Sequence, residues 1–493
     1  MLLNSDTLTL TPTLHSNSHV TVTREIASDL DTPVSVYLKL SGGGSPSFLL
    51  ESVTGGEQVG RYSFIGVEPK VALVLRGRAI ERHADGKVTP AALAADADPL
   101  EAIRAELSGY AVEPPPGLPR FIGGMVGYLG YETVQSFELR LNLPHGELPD
   151  GIFLLADTIV AFDHTRGRTL LMTTVPATER AAAEARLAAL AERLQTAAPS
   201  PAPAPNSKVA ANAVQSNITR EAFEENVHRA KEHIAAGDIF QVVLSQRLSR
   251  QTTAGPFDIY RSLRRLNPSP YMFFFDFGSL AGEPLHLIGA SPEILTRLEG
   301  RTAVVRPIAG TRPRGATPQA DAANETELLA DPKERAEHVM LVDLGRNDIG
   351  RVCNYGSVKV SELMLVERYS HVMHIVSHVS GELSPGRDAY DLIRATFPAG
   401  TVSGAPKVRA MEIIAELEGE PRGPYAGLVG YVGFNGSMDT CITIRTLLMR
   451  GQTVSVQAGA GIVADSDPAK EYEETMNKAR ALIKAVEMAE GNL

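Results

Sequence analysis

RPIAGTRPRG, Arg306–Gly315, is the stretch on which the reading of this chain turns. A short apolar strand, Ala303–Pro307, breaks there into a Gly/Pro-punctuated turn carrying the Thr311 hydroxyl and the guanidinium groups of Arg312 and Arg314. Gly310 lets backbone approach a ligand closely, because no Cβ stands in the way. Many loops share those traits, so the weight falls on the partners downstream. These are QAGAG (Gln457–Gly461), DTCITIR (Asp439–Arg445) and two helices with paired carboxylates.

The last helix is well signed, with Asp467 as N-cap, Pro468 in the first turn and Ala469–Ala489 behind them. Glu471, Glu474 and Lys478 share one of its stripes, which by itself reads as a solvated salt-bridge face. The helix around Asp331–Val342 changes that balance. Glu334 and Glu337 stand there at i and i+3, beside the run Val339–Leu344, which reads as buried. Carboxylates near an apolar core are costly unless paired or metal-bound. Two acidic helices converging on oxygen ligands suit a hard cation such as Mg²⁺.

Anion recognition has its own signals. Arg445 ends an apolar strand and can fork onto a carboxylate. Gly459, Ala460 and Gly461 follow an alternating strand and could offer backbone N–H groups, without the spacing of a dinucleotide fingerprint. Gly400–Lys407 is no nucleotide P-loop, since Lys407 follows Pro406; it reads as a helix start, with Gly419 near the stop. Among His371, His374 and His378, a strand period puts His374 opposite His371. Such a histidine is either structural or a general acid/base.

The 493 residues are 43% hydrophobic and 21% charged, enough core for two domains or one large composite one. A net charge of −11 argues against nucleic acid and requires that an anionic substrate find a locally positive pocket. Cys353 and Cys441 have no metal-type or disulfide-framework spacing. The first nineteen residues lack a signal-peptide pattern and no apolar run approaches the roughly 18 residues of a membrane span, so a cytoplasmic protein is expected.

Short alternating or apolar runs make residues 20–175 a β-rich region: Val34–Leu40, Ser47–Val53, Tyr62–Val67, Val71–Arg76, Met125–Tyr131, Ile152–Phe162 and Thr169–Thr174. Residues 176–216 hold an Ala/Glu/Arg helix and a Pro/Ala/Ser-rich linker, with the main boundary near 197–216. Residues 217–490 then mix strands and helices. They open with a helix capped near Thr219 and stopped at Gly237, followed by a strand on which Gln241, Val243, Ser245 and Arg247 share one face.

Ten blocks, among them DIFQVVLSQR (238–247), GASPE (289–293), RPIAGT (306–311), FPAGTVSGAPK (397–407) and EYEETMNKA (471–479), resemble in content and order the chorismate-utilising enzymes. Among those the chain is most similar to the large subunits of anthranilate synthases. The resemblance implies an α+β fold in which two antiparallel β-sheets pack face to face with helices outside, the N-terminal β-rich region interleaved. It implies Mg²⁺ on Glu337 and Glu474, with Glu334 and Glu471 as neighbours in the same site. Gly310, Thr311, Tyr425, Arg445, Gly459, Ala460, Gly461 and Lys478 fall on substrate-contacting positions. Glu293 matches a general acid for the departing ring hydroxyl, His374 the residue tied to pyruvate elimination, and Gln241 and Thr401 complete the catalytic set. Ser52 in LLES, with Pro270, Tyr271 and Met272 in NPSPYM, resembles a pocket for tryptophan as feedback inhibitor.

Chemistry narrows the reaction. Relatives that add water use a lysine base where this chain has Gln241, and an amide is no base at neutral pH. Many aminodeoxychorismate synthases carry a nucleophilic lysine where this chain has Ala309. Ammonia is then the expected nucleophile and anthranilate the expected product, with aminodeoxychorismate synthesis or a non-catalytic regulatory homologue as alternatives. Neither cysteine sits in a nucleophile-elbow context, so a separate glutamine amidotransferase subunit is expected to supply the ammonia.

Overall fold

The computed structural model describes residues 19–27, 30–42, 45–53, 60–94, 96–110, 112–197, 213–369 and 372–491. His371, most of the Pro/Ala-rich linker and the N-terminal eighteen residues lie outside them. Two twelve-stranded sheets dominate, and every strand pairing described is antiparallel. The first sheet runs from His19–Ile26 through Arg168–Pro176, Thr158–Asp163, Tyr62–Val67, Ser47–Glu51 and Tyr271–Asp276. It continues through Leu285–Ser291, Thr446–Arg450, Thr453–Ile462 and Gln241–Gln251. The second places Val372–Glu382, Ile294–Glu299, Met438–Ile442 and Leu428–Gly433 beside Gly124–Leu129, Gly151–Ala156 and Val71–Arg76. Both sheets recruit strands from either side of the linker.

A period of two explains the layering. In Tyr271–Asp276, Phe273 and Phe275 point into the core between the sheets with Val126, Leu154 and Val429. Met272 and Phe274 point the other way, under helices Pro256–Leu266 and Pro468–Ala489. The outer face of the second sheet is covered by helices Pro332–Gly350 and Ala389–Thr396, while Lys407–Glu418 packs on Gln241–Gln251 of the first. Each buried phenylalanine contributes about 2–3 kcal/mol, so this double-sided strand locks both layers at once. Two packed antiparallel sheets with helices outside is the expected architecture.

Local readings needed correction at four places. Val34–Leu40 is not a strand: Pro33–Leu40 is a helix, because Thr32 and Ser35 close a capping box and Pro33 sits in the first turn. Its alternating valines mimicked a strand, but Val36, Tyr37 and Leu40 form a helical stripe. Ile152–Phe162 is two strands in different sheets. The chain crosses over at Asp157, whose buried carboxylate is held by Lys70 (2.6 Å) and Arg186 (3.3 Å). The turn expected after Pro307 is the strand Ile308–Pro313, paired with Val372–Glu382 and kinked by a bulge at Gly310 (φ 69°). The run Val339–Leu344 is only partly buried: Leu341 and Val342 face the core, while Val339 is 45% exposed.

No helix among the described residues is long and apolar enough to cross a membrane.

Candidate active site

The bulge at Gly310 positions the imidazole. It turns the Gly310 carbonyl toward His374 on the neighbouring strand, where Nδ1 lies 3.0 Å from that oxygen and 3.0 Å from the Thr311 hydroxyl. A carbonyl only accepts, so Nδ1 carries the proton and Nε2 keeps a free lone pair. Burial lowers the imidazole's proton affinity, and the Gly310 carbonyl opposes that only in part. The Tyr369 ring meets His374 edge-on at 5.6 Å. His374 is held as a neutral imidazole with Nε2 free.

Glu293 is a carboxyl held in its protonated form. It ends a tight connection between Leu285–Ser291 and Ile294–Glu299, is 8% exposed, and accepts a 2.9 Å hydrogen bond from Thr401. Burial pushes its carboxyl up to about 8, against the smaller opposing pull of Thr401 and the Lys478 charge. It is therefore protonated at neutral pH, the form an acid needs. Thr401 comes from the short 3₁₀ turn Gly400–Val402.

The glycines of QAGAG clear space rather than cradle an anion by spacing alone. Ser455, Gln457, Gly459 and Gly461 alternate onto one face of Thr453–Ile462. A Cβ on Gly459 would stand 2.6 Å from the Tyr425 hydroxyl, and one on Gly461 would stand 2.8 Å from the Gln241 amide nitrogen. Ala460 turns its methyl the other way, into a core with Leu244 and Ile414, leaving only its backbone toward the site. Arg445 holds a left-handed backbone (φ 51°) at the turn after Met438–Ile442. The residue is half-buried, and its guanidinium has no hydrogen-bonded or ion-paired partner among the described residues; burial lowers its proton affinity, with Glu474 and Tyr425 opposing. A guanidinium fork without a partner has the geometry to take a carboxylate.

The acidic helices converge less symmetrically than their spacing implied. Arg312 already holds Glu334 (3.0 Å) together with Asp331 and Glu327. Glu337 instead accepts from Gln241 at 3.1 Å. Its proton affinity is raised by burial and then, against the Gln241 hydrogen bond, by the charges of Glu334 and Glu474. Glu474 is paired with Lys478 at 2.6 Å, and Lys478 also donates to the Gly459 carbonyl. Glu471 is raised by burial and hydrogen-bonded to Ser466. Among the described residues no three such groups form a closed metal cluster. The donors nevertheless fit a hard cation: like-charged carboxylates that raise one another's proton affinity are relieved by a divalent ion, and an open shell leaves room for water and substrate.

The mouth was not legible in the sequence. An open cleft of about 580 Å³ between the helices Arg220–Ala235 and Pro468–Ala489 is lined by Arg220, Arg445, Lys470 and Lys478 against Glu473 and Glu474. Four cations face two carboxylates, a locally positive opening on a protein of net charge −11. Lys470→Glu is expected to lower kcat/KM for an anionic substrate ~10-fold at low salt, with kcat unchanged and the difference shrinking as salt is added. Initial rates at several ionic strengths check this; a salt-independent loss would exclude steering.

A buried carboxyl, a neutral imidazole and an unpaired arginine carried by a two-sheet antiparallel shell are the groups an enzyme acting on a small carboxylate would use. The profile of the chorismate binding enzymes matches residues 45–484. Over 476 residues the chain is 49% identical to the anthranilate synthase component 1 of Pseudomonas putida, covering 94% of this chain and 95% of that one. The Streptomyces coelicolor counterpart is 50% identical over 480 residues, covering 95% and 89%. The crystal structure of anthranilate synthase component I from Streptococcus pneumoniae superposes with a TM-score of 0.76 at 38% identity, covering 93% of this chain and 99% of that one. The menaquinone-specific isochorismate synthase of Escherichia coli shares the fold at 19% identity, with a TM-score of 0.71 over 96% and 95% of the two chains. The chain belongs to the chorismate-binding enzyme family.

LLES and NPSPYM also come together. Ser47–Glu51 pairs with Tyr271–Asp276, placing Glu51 opposite Met272, and Val53 donates to the Ser269 carbonyl at 3.3 Å. Ser52 follows Glu51 directly, and Pro270 is buried beside it in sequence to Tyr271. The reading of the sequence missed Glu51 itself, a carboxylate 4% exposed that is held by Arg264 (2.9 Å) and the Tyr260 hydroxyl (2.5 Å). An acidic residue inside an otherwise apolar strand was the available signal.

Proposed function

We propose that this chain is the large subunit of an anthranilate synthase, converting chorismate and ammonia to anthranilate, pyruvate and water. The observations that carry the reading are a protonated Glu293, an unprotonated His374 Nε2, and Gln241 where water activation would need an amine. Ammonia adds to the ring carbon beside the carboxylate while the hydroxyl leaves with the Glu293 proton as water. His374 then takes the ring proton as the enolpyruvyl group departs, and the ring becomes aromatic. Arg445 and Tyr425 hold the enolpyruvyl carboxylate; Lys478 and the Gly310–Thr311 and Gly459–Gly461 backbones bound the ring side.

Glu337 and Glu474, with Glu334 and Glu471 around them, would hold Mg²⁺, which supplies charge stabilisation and orientation for the ring carboxylate. Gln241 positions Glu337 rather than acting as a base. Gln241→Ala is therefore expected to keep ammonium-dependent turnover measurable while raising the Mg²⁺ requirement ~10-fold, in the range of losing an outer-shell partner. Complete loss of turnover would contradict that role.

The shared name of the relatives, component 1, supports a second component, read here as a glutamine amidotransferase. Tryptophan is assigned as feedback inhibitor at Ser52, Pro270, Tyr271 and Met272 within the N-terminal region and the strand it pairs with. Tyr271 lies in register with Ser291, two residues before Glu293, so occupancy there has a short path to the acid.

The test is purified chain with chorismate, ammonium and Mg²⁺ at slightly alkaline pH, followed by anthranilate fluorescence with and without EDTA. An EDTA-sensitive rise supports the reading. Chorismate consumed without fluorescence would point to aminodeoxychorismate or isochorismate and overturn it.

A further inference from the structure

Arg422 is a cation that the proposed reaction does not use and that the fold buries, at 3% exposed. It lies on the connection between helix Lys407–Glu418 and strand Leu428–Gly433 and does not line the open cleft. Glu132 fixes its backbone end, accepting from the N–H groups of Arg422 (2.6 Å) and Gly423 (2.9 Å). Its fork makes four bonds. Nε and Nη2 donate to the two oxygens of Glu418 at 2.8 and 2.6 Å, across the left-handed helix stop at Gly419. Nη2 also donates to the Val243 carbonyl and Nη1 to the Val402 carbonyl, both at 2.7 Å. The guanidinium carbon stands 4.8 Å from the centre of the Tyr131 ring and 5.5 Å from that of Tyr425.

A buried ion pair by itself says little about purpose, since an apolar pair of the same volume stabilises a core as well. The two carbonyls are the informative partners. Val402 closes the 3₁₀ turn Gly400–Val402 directly after Thr401, whose hydroxyl donates to Glu293. Val243 stands two residues after Gln241, and the pairing of that strand with Gly404–Ala405 stops at Val242. The fork takes over there, bridging strand and turn where the backbone ladder has ended.

We infer that Arg422 is a positioning residue for the reaction: its fork ties the turn that carries Thr401 to the strand that carries Gln241, and so fixes the Thr401 hydroxyl against Glu293. The inference rests on the reading of Glu293 as the acid of ammonia-dependent anthranilate formation. Lysine at this place keeps the charge and the pairing with Glu418, but a single ammonium has no rigid fork with which to hold both carbonyls.

The alkaline limb of the pH profile reports the relay. Thr401 and Lys478 are the groups whose pull Glu293 feels, Tyr369 in turn feels the Glu293 charge, and Arg306 and Asp348 line the same small cavity. Arg422 is none of these, so an effect of Arg422 on the acid has to pass through Thr401.

Arg422→Lys is expected to lower kcat ~10- to 100-fold, with KM for chorismate moving less than kcat. The alkaline limb should move upward, because a loosened Thr401 withdraws the hydrogen bond that favours the Glu293 carboxylate. Thr401→Val sets the full size of that move, ~10-fold in proton affinity for one hydrogen bond to a charged group. Arg422→Lys should reproduce at least ~3-fold of it alone and add nothing in the Thr401→Val background, as two residues acting through one contact must. Should the lysine variant fail to fold, Glu418→Gln combined with Arg422→Met removes both charges together and leaves an amide oxygen for the Ser245 donors; it is expected to fold and to show the same upward limb. Wild-type kcat and limb in Arg422→Lys would overturn the inference and leave Arg422 a plain charge partner of Glu418. A lower kcat with an unmoved limb, or a limb move that adds to that of Thr401→Val, would overturn it too, by separating Arg422 from the acid. The wild-type assay, run first, tests the reaction alone: no anthranilate from chorismate and ammonium would overturn that reading and this inference with it, whereas the variant outcomes bear on Arg422 only.

Discussion

Glu293→Gln is expected to lower kcat by ~10²–10⁴-fold, the range for losing a positioned general acid, while KM for chorismate moves only a few fold. The amide keeps the size and the hydrogen bond to Thr401 but has no proton to give. The pH profile separates this from a packing defect. The wild-type carboxyl is pushed up to about 8 by burial, so activity that needs its proton should fall as pH rises through that value. The residual activity of the variant should lack that alkaline limb. Stability moves in the opposite sense. A carboxyl raised from 4.5 to about 8 binds its proton more tightly in the folded than in the unfolded chain, so its contribution is fully present below 4.5 and lost as pH rises toward 8. Gln carries no such loss, and the variant should gain on wild type in denaturant melts above pH 8. A variant with full kcat, or an unchanged alkaline limb, would assign the proton to another group.

Arg445→Met is expected to remove chorismate use and to stabilise the empty protein. Truncating one side of a buried charge pair costs about 2–5 kcal/mol, which is ~30- to several-thousand-fold in kcat/KM. In the unliganded chain, however, this guanidinium is half-buried without a carboxylate partner among the described residues, and its desolvation opposes the charged form until substrate arrives. Methionine keeps the apolar stem and removes the charge, so Tm should rise by about 2–4 °C. Thermal melts and initial rates on the same preparation decide it. A lower Tm with an unchanged KM would make Arg445 a structural residue.

How far the sequence could be read depended on the range of the forces involved. Helix ends were legible because caps are local: Thr219 and Asp467 accept from the backbone three residues on, and Gly419 stops its helix in a left-handed conformation. Facing was legible wherever period two held, which is why Gln241 and Val243 were rightly placed on one side of their strand. Pro33–Leu40 was misread because its valines alternate, and a capping box outweighed them. The crossover at Asp157 left no local mark, since the residues on both sides are strand formers and only the ion pairs with Lys70 and Arg186 reveal the change of sheet.

By itself, then, the sequence determined the chemical inventory and its order along the chain: an acid, an imidazole, an arginine at a strand end, paired carboxylates, and the lack of an amine at 241 and 309. Those are covalent facts, and reactivity by residue type follows from them. The tertiary structure alone decided which of these groups are charged and which are free. Arg312 pairs with Glu334, burial holds Glu293 protonated, and Arg445 is left without a partner among the described residues. Proton affinity and pairing depend on solvent exclusion and on neighbours hundreds of residues away. No local pattern in a chain encodes them, and they exist only once the two sheets have closed.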